Sequence, residues 1–134
     1  MDEFQLLSIF NSFMISNALF TVGVFFLIWV TFRAGLRIYD NGGPLLNKIL
    51  VSLFGLGVVF TGLQVGGFLQ ANWEGTAYAL GQLDSISESS QGFVDFLNVS
   101  SPPQFSLIPA NPIMIVWWIV VVMMMLLPVW VKKN

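Results

Sequence analysis

Three long apolar runs, at about 13–32, 45–69 and 113–131, dominate this chain, and inside them the sole ionisable side chain is Lys48, at the mouth of the second. Twenty residues of helix rise about 30 Å, the thickness of a bilayer's hydrocarbon core. A backbone crossing hydrocarbon must satisfy its own hydrogen bonds, so each run is expected to be a helix. With 56% hydrophobic and 9% charged residues, the chain carries far less charge than the roughly 25% of soluble domains. The expectation is an all-α integral membrane protein. Residues 1–134 form a single membrane domain of three transmembrane helices, with a partly helical external loop, 70–112, between helices 2 and 3.

What separates the runs is sorted by sign. Asp2 and Glu3 precede the first; Arg33, Arg37, Asp40 and Lys48 surround the first link; Glu74, Asp84, Glu88 and Asp95 fall in the second; Lys132 and Lys133 follow the third. Basic residues flanking short loops stay on the cytoplasmic side. Arg33, Arg37, Lys48, Lys132 and Lys133 therefore set the topology. The N-terminus and the 70–112 loop are external, and the 33–48 link and C-terminus are cytoplasmic. A bacterial inner membrane is the expected location.

Absence of cysteine and histidine removes disulfides, thiolate or imidazole metal sites and every triad that needs an imidazole. No basic stripe exists to neutralise phosphates, so nucleic acid is not an expected partner. The N-terminus has no positive n-region and no small-residue cleavage pattern, so the first run is expected to remain in the mature protein.

Within the first run, Gln5, Ser8, Ser12 and Ser16 make a polar helical stripe, and Asp2 and Gln5 have capping-box spacing. A continuous helix from Asp2 to Ile38 would overshoot a bilayer, so turns 3–12 are expected in the interface or against a partner. Asp40-Asn41-Gly42-Gly43-Pro44 is a turn. In the second run Ser52, Gly55, Val59, Gly62 and Gly66 share one face, and Gly62 and Gly66 form a GxxxG pair suited to close helix approach, within the chain or to another subunit. Beyond it, Trp73, Ala77, Leu80, Leu83 and Ile86 recur at helical spacing. They predict an amphipathic helix from Trp73 to about Ser89 lying along the interface. Phe93 and Phe96 belong to a second short apolar turn, which with Trp73, Leu80, Leu83 and Ile86 gives the loop a docking face. Asn111 is placed to cap the third helix, with Pro112 at its first position.

Chemistry is sparse. Asn17 and Gln64 are the polar side chains deep in the spans, and either serves an interhelical hydrogen bond or a quinone, pigment or substrate. Asp84 and Glu88, one helical turn apart, could share a hard cation, though no calcium-binding loop motif accompanies them. Met123, Met124 and Met125 point in three directions and cannot converge on one metal, so they are read as lipid or partner contacts. Asn98-Val99-Ser100 matches a glycosylation acceptor. No catalytic residue, metal or cofactor is expected. Bound lipids are, with pigment or quinone contact left open. The leading expectation is a non-catalytic accessory subunit of a larger integral-membrane assembly (respiratory, photosynthetic or monooxygenase-type, or a virion membrane), its partners being membrane lipids and other membrane subunits. The alternative is a self-associating pore or holin-like protein.

Overall fold

The computed structural model describes residues 1–133. Four helices follow in order: α1 Glu3–Asn41, α2 Leu45–Gly81, α3 Glu88–Leu97 and α4 Pro112–Trp130. Among the described residues there is no strand, and α1, α2 and α4 are each long and apolar enough to cross a membrane.

Local chemistry sets several of the ends. Gln5 N–H donates to Asp2 Oδ1 at 2.8 Å, and Asp2 N–H donates to Gln5 Oε1 at 3.1 Å. This reciprocal pair satisfies two donors that the start of α1 would otherwise leave open. Gly42, at φ 72°, ends α1 in a conformation that side chains disfavour, and Pro44 precedes α2. Asn111 Oδ1 accepts from Ile113 N–H at 3.0 Å, with Pro112 opening α4.

α1 and α2 form a long antiparallel hairpin, and α4 packs against both. Small residues let the backbones approach. A Cβ on Gly55 would lie 2.8 Å from Thr31 Cγ2 and 3.2 Å from Met125 Sδ, so all three helices meet there. At Gly35 it would lie 3.4 Å from the Met125 carbonyl oxygen. Val24, Ile28, Val58, Val59, Trp118, Val121 and Met125 make the core. Met125 is therefore interior, contrary to the expectation for the methionine run, while Met123 and Met124 are exposed.

Two boundaries differ from the sequence reading. α2 does not stop near residue 69; it continues to Gly81, and the non-helical link before α3 begins at Gln82. The separate interfacial helix from Trp73 to Ser89 does not form. Its first half is α2, the chain turns over 82–87, and α3 begins at Glu88. α1 likewise stays helical through residues 3–12. The cause is mutual cover: Thr76, Ala77 and Leu80 are buried in the part of α2 that runs beside the first turns of α1. At about 1.5 Å per residue, α1 and α2 span roughly 58 and 55 Å and α4 roughly 28 Å. The hairpin thus outruns α4 by about half its length.

Candidate functional site

The helix directions put the charges at opposite ends. Arg33, Arg37, Lys48, Lys132 and Lys133 gather where α1 and α4 finish and α2 starts. Arg33 lies over the Trp29 ring, 5.5 Å from its centre, and Lys48 over the Trp130 ring at 5.9 Å. Trp130 Nε1–H donates to Ser52 Oγ at 2.9 Å, so Ser52, expected on the glycine face, ties α2 to the end of α4. Lys133 pairs with Asp40 at 3.4 Å, both exposed. Apart from Asp40, every carboxylate side chain lies towards the other end.

At that acidic end α3 folds back on the hairpin. The Glu3 carboxylate accepts from Ser87 N–H at 3.0 Å, from Ser87 Oγ–H at 2.5 Å and from Ser90 Oγ–H. A carboxylate at a helix start offsets the partial positive charge there. Below this clip, Phe10, Trp73 and Phe93 stack pairwise with ring centres 5.7–6.0 Å apart. Leu80 is fully buried, and Leu83 and Ile86 are half-buried. Phe96 does not join them: it is 81% exposed. The Trp73 indole N–H and the Asn72 amide nitrogen are buried without a partner, a cost of about 1–3 kcal/mol for each such donor.

The glycine face divides. A Cβ on Gly62 would overlap the Trp118 ring, 2.7 Å from Cζ2, and sit 3.1 Å from Val24 Cγ1. Gly66 has nothing within 4 Å, and Gly67 is the crowded one, 2.5 Å from the Ser106 carbonyl oxygen and 2.6 Å from Phe105 Cε2. Within the chain, Gly62 and Gly66 therefore do not act as a pair. Above Gly62 the neighbour changes from α4 to the loop before it, whose Phe105 stacks on Phe68 at 4.9 Å. Val59 is core. Sequence periodicity singled out Gly55 and Gly62 but missed Gly35, Gly67, Thr31 and the large residue Trp118 opposite Gly62.

Asn17 Nδ2–H donates to the Val65 carbonyl at 2.9 Å, joining α1 to α2. Beside it a recess of about 260 Å³ opens between the two helices, walled by Phe13, Phe20, Phe68 and Leu69 with Ser16 and Asn72. Gln64 is half-buried on α2. Asp84 and Glu88 do not share a helix, since α2 ends at Gly81 and α3 starts at Glu88; the one-turn spacing expected for a shared cation is lost. Among the described residues no three Asp, Glu, His or Cys side chains converge as a metal site would require. Asn98 is exposed and ends α3 in the left-handed conformation.

No protein-family model, curated protein or solved structure matches the chain.

The clip at Glu3 has a definite pH dependence. Hydrogen bonds from the Ser87 hydroxyl, then the Ser90 hydroxyl, then the Ser87 backbone hold the Glu3 carboxyl below its ordinary range. A carboxyl with a lowered folded pKa stabilises the fold above its unfolded value and loses that contribution as pH falls through the folded one. The protection factors of α3 amides, referred to the unfolded-chain rate at each pH, are expected to be high at neutral pH and to fall below the ordinary carboxylate pKa. Glu3→Gln should remove most of that acid response and leave α3 faster-exchanging at pH 7. An identical pH profile in both proteins would show that the clip does not hold α3.

Proposed function

We propose that this protein is a non-catalytic accessory subunit of an integral-membrane assembly. It would lie with its basic end on the cytoplasmic side and its acidic, α3-capped end outside. The observation that carries the proposal is apolar surface in the wrong place for a free-standing membrane protein. Phe4 and Phe96, 77% and 81% exposed, stand on the part of the hairpin and cap that extends past the first turn of α4. With α4 spanning the hydrocarbon, that part lies in or above the headgroups, where exposed large apolar groups favour a protein neighbour over water. The two unpartnered buried donors on Asn72 and Trp73 are in the same region of α2.

The pore reading draws no comparable support. The exposed polar stripe of Gln5, Ser8, Ser12 and Ser16 is confined to the first turns of α1, and at span height the outward residues are mostly large and apolar, with no continuous polar stripe to line water. The closest glycine contacts are already taken within the chain, so self-association has to use another surface.

The test is native purification in mild detergent from the source membrane. The wild-type chain should bring a stoichiometric membrane partner. Phe4→Glu/Phe96→Glu should fold and insert equally well yet lose at least ten-fold of that partner, because each charge would have to be buried against an apolar surface. A wild-type chain that purifies alone as a stable monomer would refute the subunit reading.

A further inference from the structure

At the basic end a groove of about 470 Å³ runs between α1 and α4, lined by Phe32, Leu36, Val120, Met124, Leu127 and Pro128, with almost no polar surface. It lies beside the last turns of the apolar part of α1, so its open end faces the level at which that helix leaves hydrocarbon. Arg33 adjoins Phe32 and Leu36 on the helix surface, and Arg37 is one turn further on; both are exposed. The Arg33 guanidinium lies over the Trp29 ring, at the last turn of the apolar part of α1, and its long flexible stem lets it reach the headgroups. Lys132 follows the end of α4. The carboxylate nearest these cations in the sequence, Asp40, pairs with Lys133, and among the described residues no ion pair involves Arg33, Arg37 or Lys132.

An apolar slot flanked on α1 by two arginines without ion-pair partners matches one chemical object, an acyl chain joined to an anionic headgroup. We propose that this groove binds an anionic glycerophospholipid of the leaflet at the basic end. One acyl chain lies against Val120 and Leu127, and the phosphate is held by Arg33 and Arg37. Guanidinium matches phosphate oxygens in bidentate geometry, and basic pockets between transmembrane helices suit anionic headgroups. A zwitterionic headgroup would bring its own ammonium group towards the same two arginines, so net negative charge is the discriminating property. The inference rests on the membrane insertion proposed above and is independent of the partner.

The test uses the full chain in neutral detergent, with its thermal midpoint followed by tryptophan fluorescence. Phosphatidylglycerol should raise the midpoint by several degrees at saturation, while phosphatidylcholine and inorganic phosphate leave it unchanged. At about 1 kcal/mol per basic residue near an anionic headgroup, Arg33→Gln/Arg37→Gln should weaken the phosphatidylglycerol response roughly 30-fold in concentration. Val120→Trp should block it by filling the groove with both arginines in place. Lys48→Gln, on α2 over the Trp130 ring and outside the groove lining, should respond as wild type. An equal shift with phosphatidylcholine or inorganic phosphate, or an undiminished response in the double arginine variant, would overturn the proposal. A chain that purifies without a protein partner yet shows the selective shift would sink the subunit reading and leave the lipid site standing.

Discussion

Gly62→Leu is expected to abolish the three-helix bundle. Gly66→Leu, one turn away on the same helix, should leave it intact. The first carbon of any side chain at Gly62 overlaps the Trp118 ring, and Val24 closes the escape route on the α1 side. Trp118 is itself packed in the core with Val121 and Met125, so the ring cannot retreat without moving α4. Overpacking by a few methylenes costs about 1–3 kcal/mol where neighbours can relax; here a branched four-carbon side chain meets a helix-to-helix contact, and the cost should exceed that range. Gly66 faces open space, so a leucine there should change stability by no more than about 0.5 kcal/mol. Tryptophan fluorescence and size-exclusion behaviour in mild detergent read both outcomes. Trp118→Ala in the Gly62→Leu background supplies the control. Alone it leaves a cavity, but in combination it makes room, so the two effects should be strongly non-additive. Simple additivity would mean that Gly62 meets some other surface.

The sequence shows the three long helices because length and apolarity suffice to recognise them. It also shows the start of α1 in the Asp2–Gln5 spacing, the start of α4 in Asn111-Pro112, and two of the close-packed glycines, Gly55 opposite Thr31 and Gly62 opposite Trp118. It cannot show which side of an apolar helix is interior. In water a buried face differs from its surroundings in polarity; in α4 nearly every side is apolar, so Met125 in the core and Met123 and Met124 on the surface read alike. Small residues are the remaining signal, and they are ambiguous at a change of neighbour. Gly66 continues the spacing of Gly55 and Gly62, yet Gly67 is the one beneath Phe105 and Ser106. The extension of α2 past residue 69 was masked by its composition, which turns polar where α1 still covers it. The Glu3 clip to Ser87 and Ser90 joins residues more than 80 positions apart and leaves no local pattern at all.

The charge arrangement predicts the orientation, and the absence of cysteine makes that easy to read with single introduced thiols. Ser101→Cys, in the exposed loop before α4, should react with a membrane-impermeant maleimide in intact cells or right-side-out vesicles. Asn41→Cys, at the exposed end of α1 beside the link to α2, should react only after permeabilisation. The sharper prediction is reversal. Arg33, Arg37 and Lys48 flank a link of three residues between two long helices, and the translocation machinery retains such short basic segments. Neutralising these three and Lys132 and Lys133 to Gln, while changing Glu74, Asp84 and Asp95 to Lys, moves the basic residues from the link and the C-terminus to the 70–112 loop and leaves Asp2 and Glu3 in place. None of the changed residues belongs to the buried core, so both orientations remain compatible with the same three-helix packing. Most of the chains should then insert with Asn41→Cys accessible and Ser101→Cys protected. If the labelling pattern survives the exchange, the basic residues do not orient the protein. Their clustering at one end would then need another cause, and the anionic-lipid site proposed for the groove beside Arg33 and Arg37 supplies one that does not depend on how the chain was inserted.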